Sequence, residues 1–179
     1  MASWIRSACA CSRLTKLLPE MQIVECSQPV EEIDTEVLVL FHLEDEPAPR
    51  GRLGRVDWIL CGSLSRLRAR RKFAGERGAT ALLAPAGKLK AGGVLVVGLG
   101  RRADLSLAAL YRLSYQAAQA ILNLRCTHVA MEPPFRAFPR DAPLHVQQTF
   151  VEGFLAELRR GQPNAAFALT LLTSATGGQ

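Results

Sequence analysis

The stretch Gly93–Gly100 constrains the fold of this chain more than any other part of the sequence. It is a short run of β-branched and aliphatic residues that ends in a Gly-x-Gly turn, and a long helical pattern follows it. After Arg101, Arg102 and a predicted helix cap at Asp104, apolar residues recur at helical spacing, at Leu105, Ala109, Leu113, Ala117, Ile121 and Leu124. A strand, a tight turn and a helix in this order predict an α/β fold.

Further strand and helix patterns surround this joint. The nearly continuous apolar run 36–41 predicts a central strand that is covered on both faces, and shorter strands are predicted at 80–84, 127–131 and 166–172. A last helix is predicted over 144–160. A first long helix is predicted from near residue 53, with one apolar stripe formed by Leu53, Val56, Leu60, Leu64 and Leu67. Together these patterns predict a mixed, largely parallel sheet with helices on both sides.

The composition fits one domain without a membrane segment. A chain of 179 residues with 49% hydrophobic content has room for one substantial core. No apolar run approaches the roughly 20 residues that are needed to cross a bilayer. The five cysteines are an odd number without the spacing of a disulfide framework or a zinc site, so reduced thiols and a cytoplasmic location are expected.

Five segments of the sequence, in their order along the chain, resemble the N-terminal domain of the leucyl (cytosol) aminopeptidase family. They are the extended pair 21–26 and 36–43, the segments 53–64 and 73–78, the strand 94–100, and a late helix and strand at 151–156 and 168–172. The resemblance covers residues 20–173 and implies a macro-domain-like fold. Residues 1–19 would then be an N-terminal extension, and residues 174–179 a flexible tail.

The resemblance also implies where the chemistry of the family resides. Catalysis there belongs to a separate C-terminal domain that holds two divalent metals, and the Asn-Thr-Asp-Ala-Glu-Gly-Arg motif of that domain does not occur in this sequence. No catalytic residue, metal ligand or cofactor is therefore predicted. The leading hypothesis is a non-catalytic, stand-alone domain that acts through protein contacts, either with itself or with a separately encoded peptidase subunit that it regulates.

The bulky last helix is the predicted contact surface for such a partner. Phe150, Phe154 and Leu158 recur there every fourth residue, and in the resembling family this helix leads towards the junction with the catalytic domain. A domain that normally packs on a partner is expected to keep an apolar patch at its surface. These three residues are therefore the candidate protein interface.

A basic block over residues 50–78 supports a second hypothesis, nucleic-acid binding. The block carries nine Arg and Lys residues against two acidic ones, a local excess that is larger than the net charge of +6 of the whole chain. On one continuous helix, Arg52, Arg55, Arg66 and Arg70 would fall within an arc of roughly 60° and form a ridge for phosphates. The alternative is that these arginines only solvate a surface helix.

The glycine turn supports a third hypothesis, the binding of an anion. Gly98, Gly100, Arg101 and Arg102 could offer backbone N–H groups and two guanidinium groups to a phosphate. The turn lacks the third glycine of a dinucleotide-binding motif, and tight-turn geometry is the alternative explanation. A macro-like fold also raises ADP-ribose binding, although neither an Asn-Ala-Ala-Asn-type segment nor a late glycine-rich phosphate loop is present.

Overall fold

The computed structural model describes residues 14–18, 21–161 and 166–173, and it shows one sheet between two layers of helices. Its elements in chain order are β1 Leu14–Leu18, β2 Met21–Cys26, β3 Val37–Leu43, α1 Gly51–Ile59, α2 Ser63–Ala69, β4 Thr80–Leu83, β5 Gly93–Gly100, α3 Leu107–Leu124, β6 His128–Met131, α4 Pro143–Gly161 and β7 Phe167–Leu172. Short 3-10 turns lie at Val30–Glu32, Arg102–Asp104 and Phe135–Ala137. Within these ranges, no helix has the length and apolar character that spanning a membrane requires.

The seven strands lie in the order β1-β2-β7-β6-β3-β5-β4. The five inner strands run parallel to one another, and the edge strands β1 and β4 are antiparallel to their neighbours. The predicted mixed, largely parallel sheet is therefore confirmed. Strand β1 lies within the stretch assigned to the N-terminal extension and forms one edge of the sheet, whereas the predicted tail 174–179 lies outside the described residues.

The centre of the sheet is buried on both faces, because helices cover each side. Every residue of β5 is buried. Along β3, successive side chains point to opposite faces: Leu38 and Leu40 lie in the core beneath α1 and α2, whereas Val37 and Val39 lie in the core beneath α3 and α4. Burial on both sides explains why these strands are nearly continuous apolar runs in the sequence.

The first helical region forms two helices rather than the single helix predicted from its apolar stripe. Between α1 and α2, Cys61 (φ 56°) and Gly62 (φ 74°) adopt the left-handed backbone conformation, which ends the first helix. The carboxylate of Asp57 then accepts the N–H of Leu64 at 2.7 Å and the hydroxyl of Ser65 at 2.5 Å, and so holds the first turn of α2. The stripe itself is buried on both sides of the break, at Leu53, Val56, Leu60 and Leu64.

The joint after β5 differs from the prediction in the position of its helix start. Helix α3 is capped by Ser106, whose Oγ accepts the N–H of Ala109 at 3.2 Å, whereas Asp104 ends a 3-10 turn. Gly98 is required by the close approach of another segment, because a Cβ atom there would overlap the backbone carbonyl of Glu76. This contact and the left-handed conformation of Gly100 (φ 76°) favour tight-turn geometry as the explanation of the two glycines.

Candidate functional site

A cleft of about 560 Å³ lies at the carboxyl edge of the parallel strands. Its lining includes Phe41 and Leu43 of β3, Leu99 of β5, the first residues of α1 and the loop 132–137 after β6. The carboxyl ends of parallel strands meet at one edge of a sheet, and ligands of open α/β sheets bind outside that edge. This cleft is therefore the candidate functional site.

The cleft carries more positive than negative charge. Four arginines line it, namely Arg50, Arg52, Arg102 and Arg136. Two carboxylates face them: Arg52 pairs with Glu132 at 2.8 Å, and the Nε of Arg50 lies 3.5 Å from Glu46. Four guanidinium groups against two carboxylates leave an excess that favours an anionic ligand.

The arginines of the cleft differ in how firmly they are held. Arg52 is only 15% exposed and also donates to the backbone carbonyl of Thr173 at 2.6 Å, so it acts as a fixed part of the wall. Arg102 donates to the carbonyls of residues 136 and 137, and the guanidinium of Arg136 lies against Gly51, the first residue of α1. Among the described residues, no carboxylate lies within 4.0 Å of the guanidinium of Arg102 or of Arg136, so these two charges can meet a ligand.

A buried histidine lies behind the acidic side of the cleft. The Nδ1 of His42 is 3.9 Å from an oxygen of Glu46, and in the described part of the chain neither ring nitrogen has a hydrogen-bond partner. Burial, reinforced by the nearby guanidinium of Arg68, lowers the pKa of His42 from 6.5 to about 4, against the opposing effect of Asp57. The ring is therefore neutral at pH 7 and adds no charge to the cleft.

In the predicted anion-binding turn, the N–H groups of Gly98, Gly100 and Arg102 are already hydrogen-bonded to acceptors within the protein. The N–H groups of Gly98 and Gly100 donate to backbone carbonyls at 2.8 and 2.9 Å, and the N–H of Arg102 donates to Asp45 at 3.1 Å. The Nε of Arg101 lies 3.5 Å from a glutamate oxygen in the loop after β3. These groups do not converge on one phosphate position, and of the two arginines it is the side chain of Arg102 that lines the cleft.

The arginines predicted to form one ridge do not share a helix face. Arg52 lines the cleft, and Arg55 pairs with Glu31 at 2.5 Å. Beyond the break, Arg66 donates to the backbone carbonyl of residue 61, and Arg70 follows the end of α2. The ridge depended on one continuous helix, and the left-handed residues between α1 and α2 interrupt it. The prediction of a phosphate-binding ridge is therefore corrected.

The residues predicted as a protein interface lie in the core. Phe150 and Phe154 are 0% exposed and Leu158 is 4% exposed. Phe150 packs edge-on against Phe41 of the sheet, with 5.1 Å between ring centres, and α4 packs along α3 on the same face of the sheet. The spacing of every fourth residue marks the buried face of α4, so the predicted apolar patch is not at the surface.

Two surface features have no counterpart among the residues predicted from the sequence. Trp58 is 71% exposed, and its position about 200° around the helix from Val56 could have indicated this exposure. Cys61 is exposed, and the ammonium of Lys88, 27 residues further along the chain, lies 3.0 Å from its Sγ. No local sequence signal marks that contact. Across the parts of the chain that the structure describes, no group of three or more His, Cys, Asp or Glu residues could hold a metal ion.

The fold and its cleft define a macrodomain-like α/β domain. A macrodomain from Oceanobacillus iheyensis, solved with ADP, matches with a TM-score of 0.64 and 10% identity, over 92% of this chain and 91% of that one. A mutant of tomato leucine aminopeptidase matches with a TM-score of 0.66 and 18% identity, over 92% of this chain and 35% of that one. At these identities the likeness concerns the fold, and it confirms the predicted fold class.

The sequence comparison identifies the family. The profile of the cytosol aminopeptidase family, N-terminal domain, matches residues 37–160, so the chain belongs to this family, as the five segments of its sequence predict. The probable cytosol aminopeptidase of Geobacter sp. (strain M21) is 38% identical over 112 residues, which are 62% of this chain and 22% of the relative. The chain thus matches about a fifth of the length of that relative.

Proposed function

We propose that this chain is a non-catalytic accessory domain that associates with a metallopeptidase domain of the cytosol aminopeptidase family and regulates it. The observation that carries the proposal is the family match over residues 37–160. The alignment of 112 residues with the Geobacter relative covers only 22% of that protein. The resemblance in the sequence assigns the metal-dependent chemistry to the other part of such enzymes. A cytoplasmic location belongs to the same proposal, and the free thiols of Cys61 and Cys126 support it.

The association is tested by mixing the purified chain with the Geobacter relative from which the matching domain has been removed. We expect the two to co-elute in size-exclusion chromatography and the turnover of a leucyl chromogenic substrate with Mn²⁺ or Zn²⁺ to change. The chain alone should give no turnover. Separate elution with unchanged turnover would contradict the accessory role, and turnover by the chain alone would contradict its non-catalytic nature. Light scattering of the chain alone measures whether it also associates with itself.

The cleft supports a second function, the binding of a phosphate ligand such as ADP or ADP-ribose. The specific observation is the excess of arginine over carboxylate in the cleft. Among the described residues, the guanidinium groups of Arg102 and Arg136 have no carboxylate within 4.0 Å, and that of Arg136 lies beside the start of α1. The first N–H groups of a helix lack partners within the helix and carry partial positive charge, which adds to the attraction for a phosphate. The macrodomain of similar fold that was solved with ADP makes a nucleoside diphosphate a reasonable first ligand.

Calorimetric titration with ADP, ADP-ribose and adenosine tests this second function. Adenosine has no phosphate, so only the two phosphate ligands should bind. Arg136→Ala is expected to weaken their binding by roughly tenfold, the size of one charge-assisted hydrogen bond. Arg112→Ala, which removes an exposed arginine of α3 outside the cleft, is the matched control and should bind as the wild type does. Binding that is unchanged by Arg136→Ala and Arg102→Ala would contradict a phosphate site in the cleft.

A further inference from the structure

A second surface lies at the end of α1 that is remote from the cleft, and it is centred on Trp58. This residue is 71% exposed in the last turn of the helix, although the guanidinium of Arg55 lies over one face of its ring, 4.8 Å from the centre. Trp, Tyr and Arg are enriched among the few residues that carry most of the binding energy of protein interfaces. The indole is therefore a candidate anchor for a partner.

Positive groups lie close to the chain segment that follows this tryptophan. We define the Trp58 patch by five residues, Arg55, Trp58, Cys61, Arg66 and Lys88. Arg66 donates to the carbonyl of Cys61 and, at 3.0 Å, to the hydroxyl of the neighbouring Ser63, and the Nζ of Lys88 lies 3.0 Å from the Sγ of Cys61. The N–H of Cys61 in turn donates to the carbonyl of Trp58 at 3.0 Å, so Cys61 contacts both of these cations and the backbone of Trp58.

The size of the charge decides what kind of partner fits the Trp58 patch. Within the part of the chain that the structure describes, its three cations have one carboxylate within 4.0 Å, that of Glu31, which pairs with Arg55 at 2.5 Å. The remaining excess of about two charges resides on Arg66 and Lys88, and Arg66 has unused donors among its five N–H groups. Affinity for nucleic acid comes from many phosphate contacts along a strand, which two charges do not provide. Two charges match one or two carboxylates at the rim of a protein contact.

We propose that the Trp58 patch is a docking site for an acidic protein segment. An apolar side chain of that segment packs on the open face of Trp58, and its carboxylates pair with Arg66 and Lys88. Arg55 stiffens the site, because it is itself fixed by Glu31 and stacks on the indole. The inference goes beyond the proposed function, since it names a surface and does not require the partner to be a peptidase.

Fluorescence of Trp58 provides a direct test. The chain has two tryptophans, so a Trp4→Phe background leaves Trp58 as the single reporter. The probe is the synthetic peptide Glu-Asp-Leu-Phe-Glu-Asp, with Glu-Asp-Ser-Ser-Glu-Asp as its apolar-free counterpart. We expect saturable binding of the first peptide, weaker binding of the second, and loss of affinity as salt rises from about 50 to about 500 mM. The absence of saturable binding up to about 1 mM peptide would overturn the proposal.

Variants separate the Trp58 patch from the rest of the surface. Measured by calorimetry, Trp58→Ala should weaken binding of the first peptide by roughly tenfold or more, as expected of an interface anchor, and Trp58→Phe should retain most of it. Leu144→Ala removes another exposed apolar side chain, 60% exposed at the start of α4, and should have no effect. Equal binding by wild type and Trp58→Ala would overturn the proposal, and so would tighter binding of a single-stranded oligothymidine of equal charge. Neither outcome affects the accessory role, which is tested with the peptidase.

Discussion

At the scale of single residues, the buried imidazole of His42 makes the stability of the fold depend on pH. Its pKa is about 4 in the folded protein, against an ordinary value of 6.5. Between these pH values the unfolded chain binds a proton that the folded chain does not bind. The free energy of unfolding therefore keeps the full benefit of the neutral His42 above pH 6.5. It decreases progressively as the pH falls from 6.5 towards 4. At 1.36 kcal/mol for each pKa unit, the full loss is about 3 kcal/mol.

Urea unfolding at about pH 7 and about pH 5 measures this effect separately from the carboxylates, whose ordinary pKa lies lower. The urea concentration at the midpoint of unfolding should be lower at about pH 5 than at about pH 7 for the wild type. The same decrease should be much smaller for His42→Leu. His145→Gln, which removes an exposed histidine, is the control and should behave as the wild type does. An equal fall in wild type and His42→Leu would show that His42 is not the titrating group.

The thiol of Cys61 is the second residue whose chemistry follows from a single contact. The ammonium of Lys88, hydrogen-bonded to its Sγ at 3.0 Å, lowers the pKa of Cys61, whereas burial raises the pKa of Cys126. Since the thiolate is the reactive form, iodoacetamide near neutral pH should alkylate Cys61 faster than Cys126. Peptide mass spectrometry over a time course should show that Lys88→Met slows the reaction of Cys61 and that Lys90→Met does not. An unchanged rate in Lys88→Met would refute this account.

At the scale of elements, the carboxylate of Asp57 couples α1 to α2. It is buried, and it accepts the N–H of Leu64 at 2.7 Å and the hydroxyl of Ser65 at 2.5 Å. Asp57→Ala leaves the first turn of α2 without this partner, and we expect a loss of about 2 kcal/mol in the free energy of unfolding. Ser65→Ala should cost less, because the N–H of Leu64 keeps its acceptor. Chemical denaturation measures both variants, with Asp34→Ala at an exposed site as the control, and a loss in Asp57→Ala no larger than in the control would contradict the coupling.

At the scale of the whole molecule, α4 closes one of the two cores against the sheet. Phe154 is fully buried, with its ring centre 6.1 Å from that of Phe150 and 6.3 Å from that of Phe167 in β7. Phe154→Ala should lower the free energy of unfolding by about 4 kcal/mol, which combines lost burial with the cavity left behind. Glu152→Ala, on the exposed face of the same helix, should change it by less than about 0.5 kcal/mol. Thermal and chemical unfolding measure both, and similar values for the two variants would contradict this packing.

The sequence by itself determined the strands from β2 onwards, the buried stripes and the family, whereas the edge strand β1 was not predicted. The run predicted as a central strand over 36–41 is β3, and the run before the glycine turn is β5. Both were predictable because burial on two faces leaves a continuous apolar run, which is a local signal. The helix stripes followed from local periodicity in the same way, and the order of the five segments indicated the family that the comparison confirmed.

Only the tertiary structure decided which side chains reach the surface and which meet in the cleft. Periodicity identified the apolar face of α4, but the structure showed that α3 and the sheet cover Phe150 and Phe154. Arg52 is held in the cleft by Glu132 and Thr173, which the fold brings next to it although they are 80 and 121 residues away along the chain. A long charged side chain can reach many partners, and the topology of the sheet determines which of them lie within a few ångströms. Local patterns in the sequence do not predict which distant residues these side chains contact.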